Sequence, residues 1–161
     1  MGKPVSIVMG SQSDLEAVKP AADIFKEFGV EFDIRVLSAH RSPKELEEYV
    51  GGSAQRGTRI FIAAAGGAAA LAGVIASQTT LPVIGIPMET KNFHGMDSLL
   101  STIQMPAGIP VAAMAIGSAG AKNAALFALE ILALSDRGIA GKLDEYRERM
   151  RQAIHKIQLD L

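Results

Sequence analysis

The chain contains no cysteine. That removes a disulfide framework, a thiol nucleophile and a cysteine–zinc centre together. His40, His94 and His155 lie far apart and lack metal-ligand spacing, so no metal is expected. No apolar run approaches the ~18–20 residues of a membrane span. Basic charge is not in excess, with 16 Lys and Arg against 17 Asp and Glu and a net charge of −1. This argues against nucleic acid or a membrane surface as partner. The G-x-G-x-x-G dinucleotide fingerprint and the Walker lysine motif are both missing. The amino terminus reaches a strand-like run within a few residues and shows no signal-peptide pattern, so a cytoplasmic location is expected.

What is present fits one domain over residues 1–161 with a sizeable core. Apolar residues make up 48% and mean hydropathy is +0.23, high for a soluble monomer. Alanine and glycine supply much of this, and such small residues let helices approach closely. Buried subunit interfaces are therefore expected besides the core.

Hydrophobic periodicity predicts strands at 5–9, 30–37, 59–64, 81–87 and 109–116. Helices are expected at 13–28, 43–55, from the small-residue segment to about 78, at 96–104 and at 117–134. Pro20 allows a kink or a late start in the first helix. The tail, 136–157, reads as a charged helix with a stripe of Leu143, Tyr146, Met150, Ile154 and Ile157. Strand and helix alternate throughout, which predicts an α/β fold with a doubly wound, parallel five-stranded sheet flanked on both faces. The extra tail helix is left without a partner inside the chain. No linker, repeat or low-complexity segment interrupts the pattern.

The chemistry-bearing stretch is Leu37-Ser38-Ala39-His40-Arg41-Ser42-Pro43. A strand leads in. Ser42 as N-cap, Pro43 at the first helical position and Glu45 as capping-box partner lead out. In an open α/β sheet, turns at the carboxyl ends of strands bind ligands. A group that titrates near neutrality beside a fixed cation suits proton transfer on an anionic substrate. Two further turns should share that edge. Gly10-Ser11-Gln12-Ser13-Asp14 offers hydroxyls and N–H groups at a helix start, an anion site in which Asp14 could take a ribose hydroxyl. The plainer reading of Ser13 is a helix cap with Glu16 as its box partner, whereas Ser11 and Asp14 are less well explained by capping. Ala65-Gly66-Gly67-Ala68-Ala69 lets backbone approach a ligand without side-chain bulk, or serves close helix–strand packing. His94 reads as surface, and His155 as solvated.

Taken together, Val8-Met9-Gly10-Ser11-Gln12-Ser13-Asp14, Ser38-Ala39-His40-Arg41-Ser42-Pro43 and Ala65-Gly66-Gly67-Ala68-Ala69 resemble the PurE family. So do Asp97-Ser98-Leu99-Leu100-Ser101, Gln104-Met105-Pro106, Gly108-Ile109-Pro110-Val111 and Asn123-Ala124-Ala125-Leu126. The resemblance runs through nearly the whole chain in order. Arg41 and the Gly66-Gly67 pair look like the class I members, mutases acting on N5-carboxyaminoimidazole ribonucleotide. The class II members, carboxylases that take free carbon dioxide, usually have lysine and a different glycine loop.

The resemblance implies a three-layer, flavodoxin-like α/β/α fold, a homo-octamer, a ribonucleotide substrate and no cofactor. It implies His40 as catalytic acid and base. Ser11, Ser13, Asp14 and Arg41 would hold the ribose phosphate end. Ser38, Ala39, Gly66, Gly67 and Ala68 would surround the base and the travelling carboxyl group. One departure stands out. Many class I members carry a second histidine followed by Leu-Pro-Gly in the glycine-loop segment. Here the segment reads Ala69-Ala70-Leu71-Ala72-Gly73. A carboxylase using free carbon dioxide and a non-catalytic ribonucleotide-binding relative are the rival expectations.

Overall fold

In the computed structural model the described residues are 2–158. Met1 and residues 159–161, which the single-domain expectation included, lie outside them. The elements are β1 (Val5–Met9), α1 (Leu15–Phe28), β2 (Phe32–Val36), α2 (Pro43–Gly51), β3 (Ile60–Ala65), α3 (Leu71–Gln78), β4 (Val83–Pro87), α4 (Met96–Ile103), β5 (Ala112–Ala113), α5 (Gly117–Ala133) and α6 (Arg137–His155). A short 3-10 helix, Gln12–Asp14, precedes α1. The chain divides into two compact units, one ending at Leu126 and one beginning at Phe127.

The first unit holds the sheet. All its strand pairs are parallel, in the order β2-β1-β3-β4-β5. The chain steps one way from β1 to β2 and the other way from β2 to β3. Right-handed crossovers then put α1 and α2 on opposite faces. Side chains alternate across the sheet to match. Val8, Phe61, Ala63 and Val83 form one cluster with Leu46 and Val50 of α2 and Leu71, Ala72, Ile75 and Ala76 of α3. Ile7, Ile62 and Ile84 point the other way and are fully buried. On α1, Val18, Ala21, Ile24, Phe25 and Phe28 make the buried stripe, and the Phe25 ring lies 5.6 Å from that of Phe32.

Boundaries differ from the sequence reading where local chemistry intervenes. Helix α1 starts at Leu15, after the 3-10 turn and two residues later than expected, and runs through Pro20 rather than starting there. Helix α2 stops at Gly51 rather than near 55, because the buried Ser53 turns its N–H and hydroxyl back onto the Val50 carbonyl. Strand β5 is two residues long, not eight, being an edge strand with only Ile84 and Gly85 as register partners. The expected capping box at Ser42 is absent. Its hydroxyl instead accepts from Ser38 N–H at 2.9 Å and donates to the Ser38 carbonyl at 3.2 Å. The cap expected of Ser13 belongs to Ser11, whose oxygen accepts from Ser13 N–H at 3.3 Å.

The second unit contains the end of α5 and all of α6. Asp136 caps α6 by accepting from Gly138 and Ile139 N–H groups at 2.9 and 3.1 Å. Arg147 pairs with Glu130 at 2.5 Å. Among the described residues no helix is long and apolar enough to cross a membrane.

Candidate active site

Where the sheet order reverses, between β1 and β3, the chain leaves the carboxyl ends of both strands in diverging directions. A crevice must open there. It is a pocket of about 380 Å³ lined by Gly10, Ser11, Ser13, Asp14, Ser38, Ala39, His40, Arg41, Ala65, Gly66 and the approach to α3, Ala69 to Leu71. Three turns separated widely in sequence thus meet at one place.

The first two turns are tied together by one side chain. Arg41 donates from Nη2 to the Gly10 carbonyl at 2.7 Å, and from its backbone N–H to Ser38 Oγ at 3.2 Å. Its Nε lies 3.4 Å from the same Ser38 oxygen. The guanidinium is therefore held at the pocket edge with further donors left to aim at an anion. The Ser38–Ser42 bonds close the turn that carries His40. That imidazole is exposed, yet it lines the same cavity as Ser11 and Ser13. It is the one imidazole among the lining residues, and His94 and His155 lie elsewhere.

In the first turn, Ser13 Oγ lies 2.8 Å from Ser11 Oγ and 3.4 Å from Asp14 Oδ1. Burial pushes the Asp14 carboxyl above its ordinary range. The Ser13 hydroxyl, a backbone bond from Ser11 and the Arg41 charge only partly offset that. A carboxylate kept in a cleft against its own desolvation, beside a fixed cation, is the mark of a group placed for a ligand.

The third turn splits. Gly66 lines the pocket, whereas Gly67 and Ala68 do not. Gly67 has φ of +67° with open space around a would-be Cβ, so its backbone conformation, not crowding, asks for glycine. Its N–H turns away from the cavity to Ser98 Oγ on α4, at 2.9 Å, and the Ala68 carbonyl accepts from the Ser101 hydroxyl. Ser98 is fully buried. Asp97 accepts from Thr90 Oγ1 at 2.7 Å and from Ser98 N–H at 2.9 Å, and the Thr90 bond above all holds its carboxyl below the usual range. The sequence reading assigned these α4 residues no role. Hydroxyls spaced three apart on a short helix, at Ser98 and Ser101, were the available signal. Gly10, Ala65, Ala69, Ala70 and Leu71 also line the pocket; the sequence reading had the first three only as members of these turns, Ala70 only as a departure from the family, and Leu71 in no role. Ala70 faces the pocket where a second histidine was noted as common. Among the described residues no group of three or more histidines and carboxylates could hold a metal.

Comparison with known proteins gives a consistent result. The profile of a family described as AIR carboxylase matches residues 4–153. An N5-carboxyaminoimidazole ribonucleotide mutase of Bacillus subtilis is 51% identical over 150 residues, 93% of each chain. One from Methanocaldococcus jannaschii is 53% identical over 151 residues, 94% of this chain and 92% of the relative. The crystal structure of Treponema denticola PurE superposes with a TM-score of 0.86 at 32% identity, covering 94% of each chain.

Proposed function

The chain belongs to the AIR carboxylase family, and from that premise we propose that it is an N5-carboxyaminoimidazole ribonucleotide mutase of purine biosynthesis. It moves a carboxyl group from the exocyclic nitrogen to ring carbon four. The observation that carries the reading is the single cavity that brings Ser11, Ser13 and Asp14 of one turn to His40 and Arg41 of another, with Gly66 as its third wall.

Arg41, Ser11 and Ser13 bind the ribose phosphate, and Asp14 takes a ribose hydroxyl. Ser38, Ala39 and Gly66 surround the base and the carboxyl group, with Gly67 and Ala68 behind them tying the turn to α4. His40 is the acid and the base. In its protonated form it gives a proton to the nitrogen as the nitrogen–carbon bond breaks and carbon dioxide departs. Ring carbon four then attacks the dioxide, and neutral His40 recovers the ring proton. The reaction is an isomerisation, with no electrons lost and one proton lent and returned. One imidazole can serve both steps, at a gain of about 10²–10⁴-fold. Holding the dioxide beside the ring supplies the remainder as effective concentration. Ala65, Gly66, Ala69 and Ala70 leave room there and present no hydroxyl to capture it.

The mutase names of relatives at about half identity favour this reaction over carboxylation by dissolved carbon dioxide. The homo-octamer implied by the resemblance and the expected cytoplasmic location belong to the same proposal. Purified protein given the carboxylated ribonucleotide should form the ring-carboxylated product at a rate that added bicarbonate does not raise. His40→Asn should lower turnover at least ~10²-fold while retaining ribonucleotide affinity. Dependence on bicarbonate, or normal turnover in that variant, overturns the reading.

A further inference from the structure

The turn that bounds the carboxyl end of the pocket is not self-supporting. Gly67 and Ala69 both have positive φ, +67° and +33°. Ala69 carries a Cβ there, a conformation that persists only where neighbours over-determine it. The neighbour is α4. Ser98 and Ser101 lie one helical turn apart and so share a face. Ser98 Oγ accepts the Gly67 N–H at 2.9 Å, and the Ser101 hydroxyl donates to the Ala68 carbonyl. A donor and an acceptor on consecutive residues are thus held by opposite ends of one hydroxyl pair. Ser98 is in turn fixed through Asp97, its backbone N–H donating to Oδ1 at 2.9 Å, and through its carbonyl, which accepts from Thr102 Oγ1 at 2.7 Å.

We propose that Ser98 and Ser101 are positioning residues that clamp the Gly66–Ala69 turn against the pocket, and that the clamp keeps carbon dioxide from escaping between the two halves of the reaction. The proposal rests on the mutase reading above. When the nitrogen–carbon bond breaks, its electron pair returns to nitrogen, which takes the proton from His40. If the dioxide stays, ring carbon four supplies the pair for the new carbon–carbon bond and its proton goes back to His40. If the dioxide leaves, the nitrogen keeps its proton, aminoimidazole ribonucleotide is released, and solvent reprotonates His40. A loosened wall therefore turns an isomerase into a decarboxylase without touching the acid–base group.

The test compares the wild type with Ser101→Ala, Ser98→Ala and the conservative Ser101→Thr. It measures ring-carboxylated product and decarboxylated ribonucleotide formed per turnover, above the buffer rate, together with KM and Tm. Ser101→Ala should lower kcat for product about 10–100-fold. KM should stay within ~3-fold, decarboxylated ribonucleotide should become the main product, and Ser101→Thr should restore the wild-type ratio. Ser101 is only half-buried, so its variant decides the matter even if Ser98→Ala does not fold. Unchanged partition between the two products in Ser101→Ala, or a loss of kcat that merely tracks Tm, overturns the clamp alone. A wild type that converts no substrate overturns the mutase reading, and the clamp's catalytic role falls with it.

Discussion

Asp14 shows what a single residue can say about function. Its carboxyl is pushed up by burial, against the Ser13 and Ser11 hydrogen bonds and Arg41. The folded chain therefore binds its proton more tightly than the unfolded chain does. A raised folded pKa contributes stability that is present below the ordinary value of 3.8 and is lost as pH rises through the folded value. At neutral pH the charged group works against the fold. Asp14→Asn should raise Tm at pH 7 by about 1–3 °C and flatten the fall in stability as pH rises through the folded value. It should weaken ribonucleotide binding about 10–100-fold, the worth of a hydrogen bond to a charged group. Thermal melts from pH 4 to 7 and a binding titration check this. A lower Tm with unchanged affinity contradicts it. Asp33 is the converse case on the opposite edge of the sheet. Burial opposes its charge, but Arg35, Tyr49 and Lys3 outweigh that and hold its carboxyl low. It therefore adds stability above the ordinary value that is lost as pH falls through the lowered folded value. Nothing in the letters Asp14 or Asp33 separates these two. The separation comes from Arg35 and Tyr49 converging on one carboxylate and not on the other.

Among the elements, the buried central strands were legible because they are short apolar runs closed by glycine or proline. Observed β1, β3 and β4 agree with the expected runs to within two residues. The same regularity made the meeting of the turns after β1 and β2 readable, since parallel strands end on one edge. The support from α4 was not readable. Gly67 and Ser98 are 31 residues apart, and their bond leaves no local pattern. Neither was the swap of roles between Ser11 and Ser13, which depends on a 3-10 turn that the helical period runs through. Helix α4 is also set by what it packs on. A Cβ on Gly85 of β4 would sit 2.5 Å from Thr102 Cγ2 and 3.1 Å from Val111 Cγ1. Thr102 cannot swing aside cheaply, because it is β-branched and its hydroxyl is bonded to the Ser98 carbonyl at 2.7 Å. Gly85→Ala should cost about 1–3 kcal/mol as overpacking, seen as a Tm lowered by several degrees. By lifting α4 it should also reduce turnover, although it lies outside the pocket. A variant with wild-type Tm and rate counts against this account of the packing.

For the whole molecule, the high apolar content noted in the sequence finds only part of its explanation within one chain. Phe93, Met96, Leu100 and Ile103 in and before α4 are exposed in the first unit. Ile154, at 72% exposure, continues the α6 stripe in the second beyond the buried Leu143 and Tyr146, and Ile157, at 60%, follows just after the helix ends at His155. Exposed apolar surface gathered in patches marks a surface that expects a partner. Because these side chains are already partly covered, burying the remainder of each is worth about 1–2 kcal/mol. With a net charge of only −1, self-repulsion offers little resistance to association. The proposed homo-octamer would supply the cover, and it bears on the chemistry. The outer face of α4 carries Leu100 and Ile103 while its inner face carries Ser98 and Ser101. Packing the outer face would stiffen the helix that holds the glycine turn. Replacing Ile154 and Ile157 together by Glu should leave the far-ultraviolet circular dichroism unchanged and shift the sedimenting species to a smaller assembly, by desolvating charge where apolar burial had been. An unchanged sedimentation coefficient would mean that this end of α6 is not an interface, and that the apolar excess must be covered at the α4 face instead.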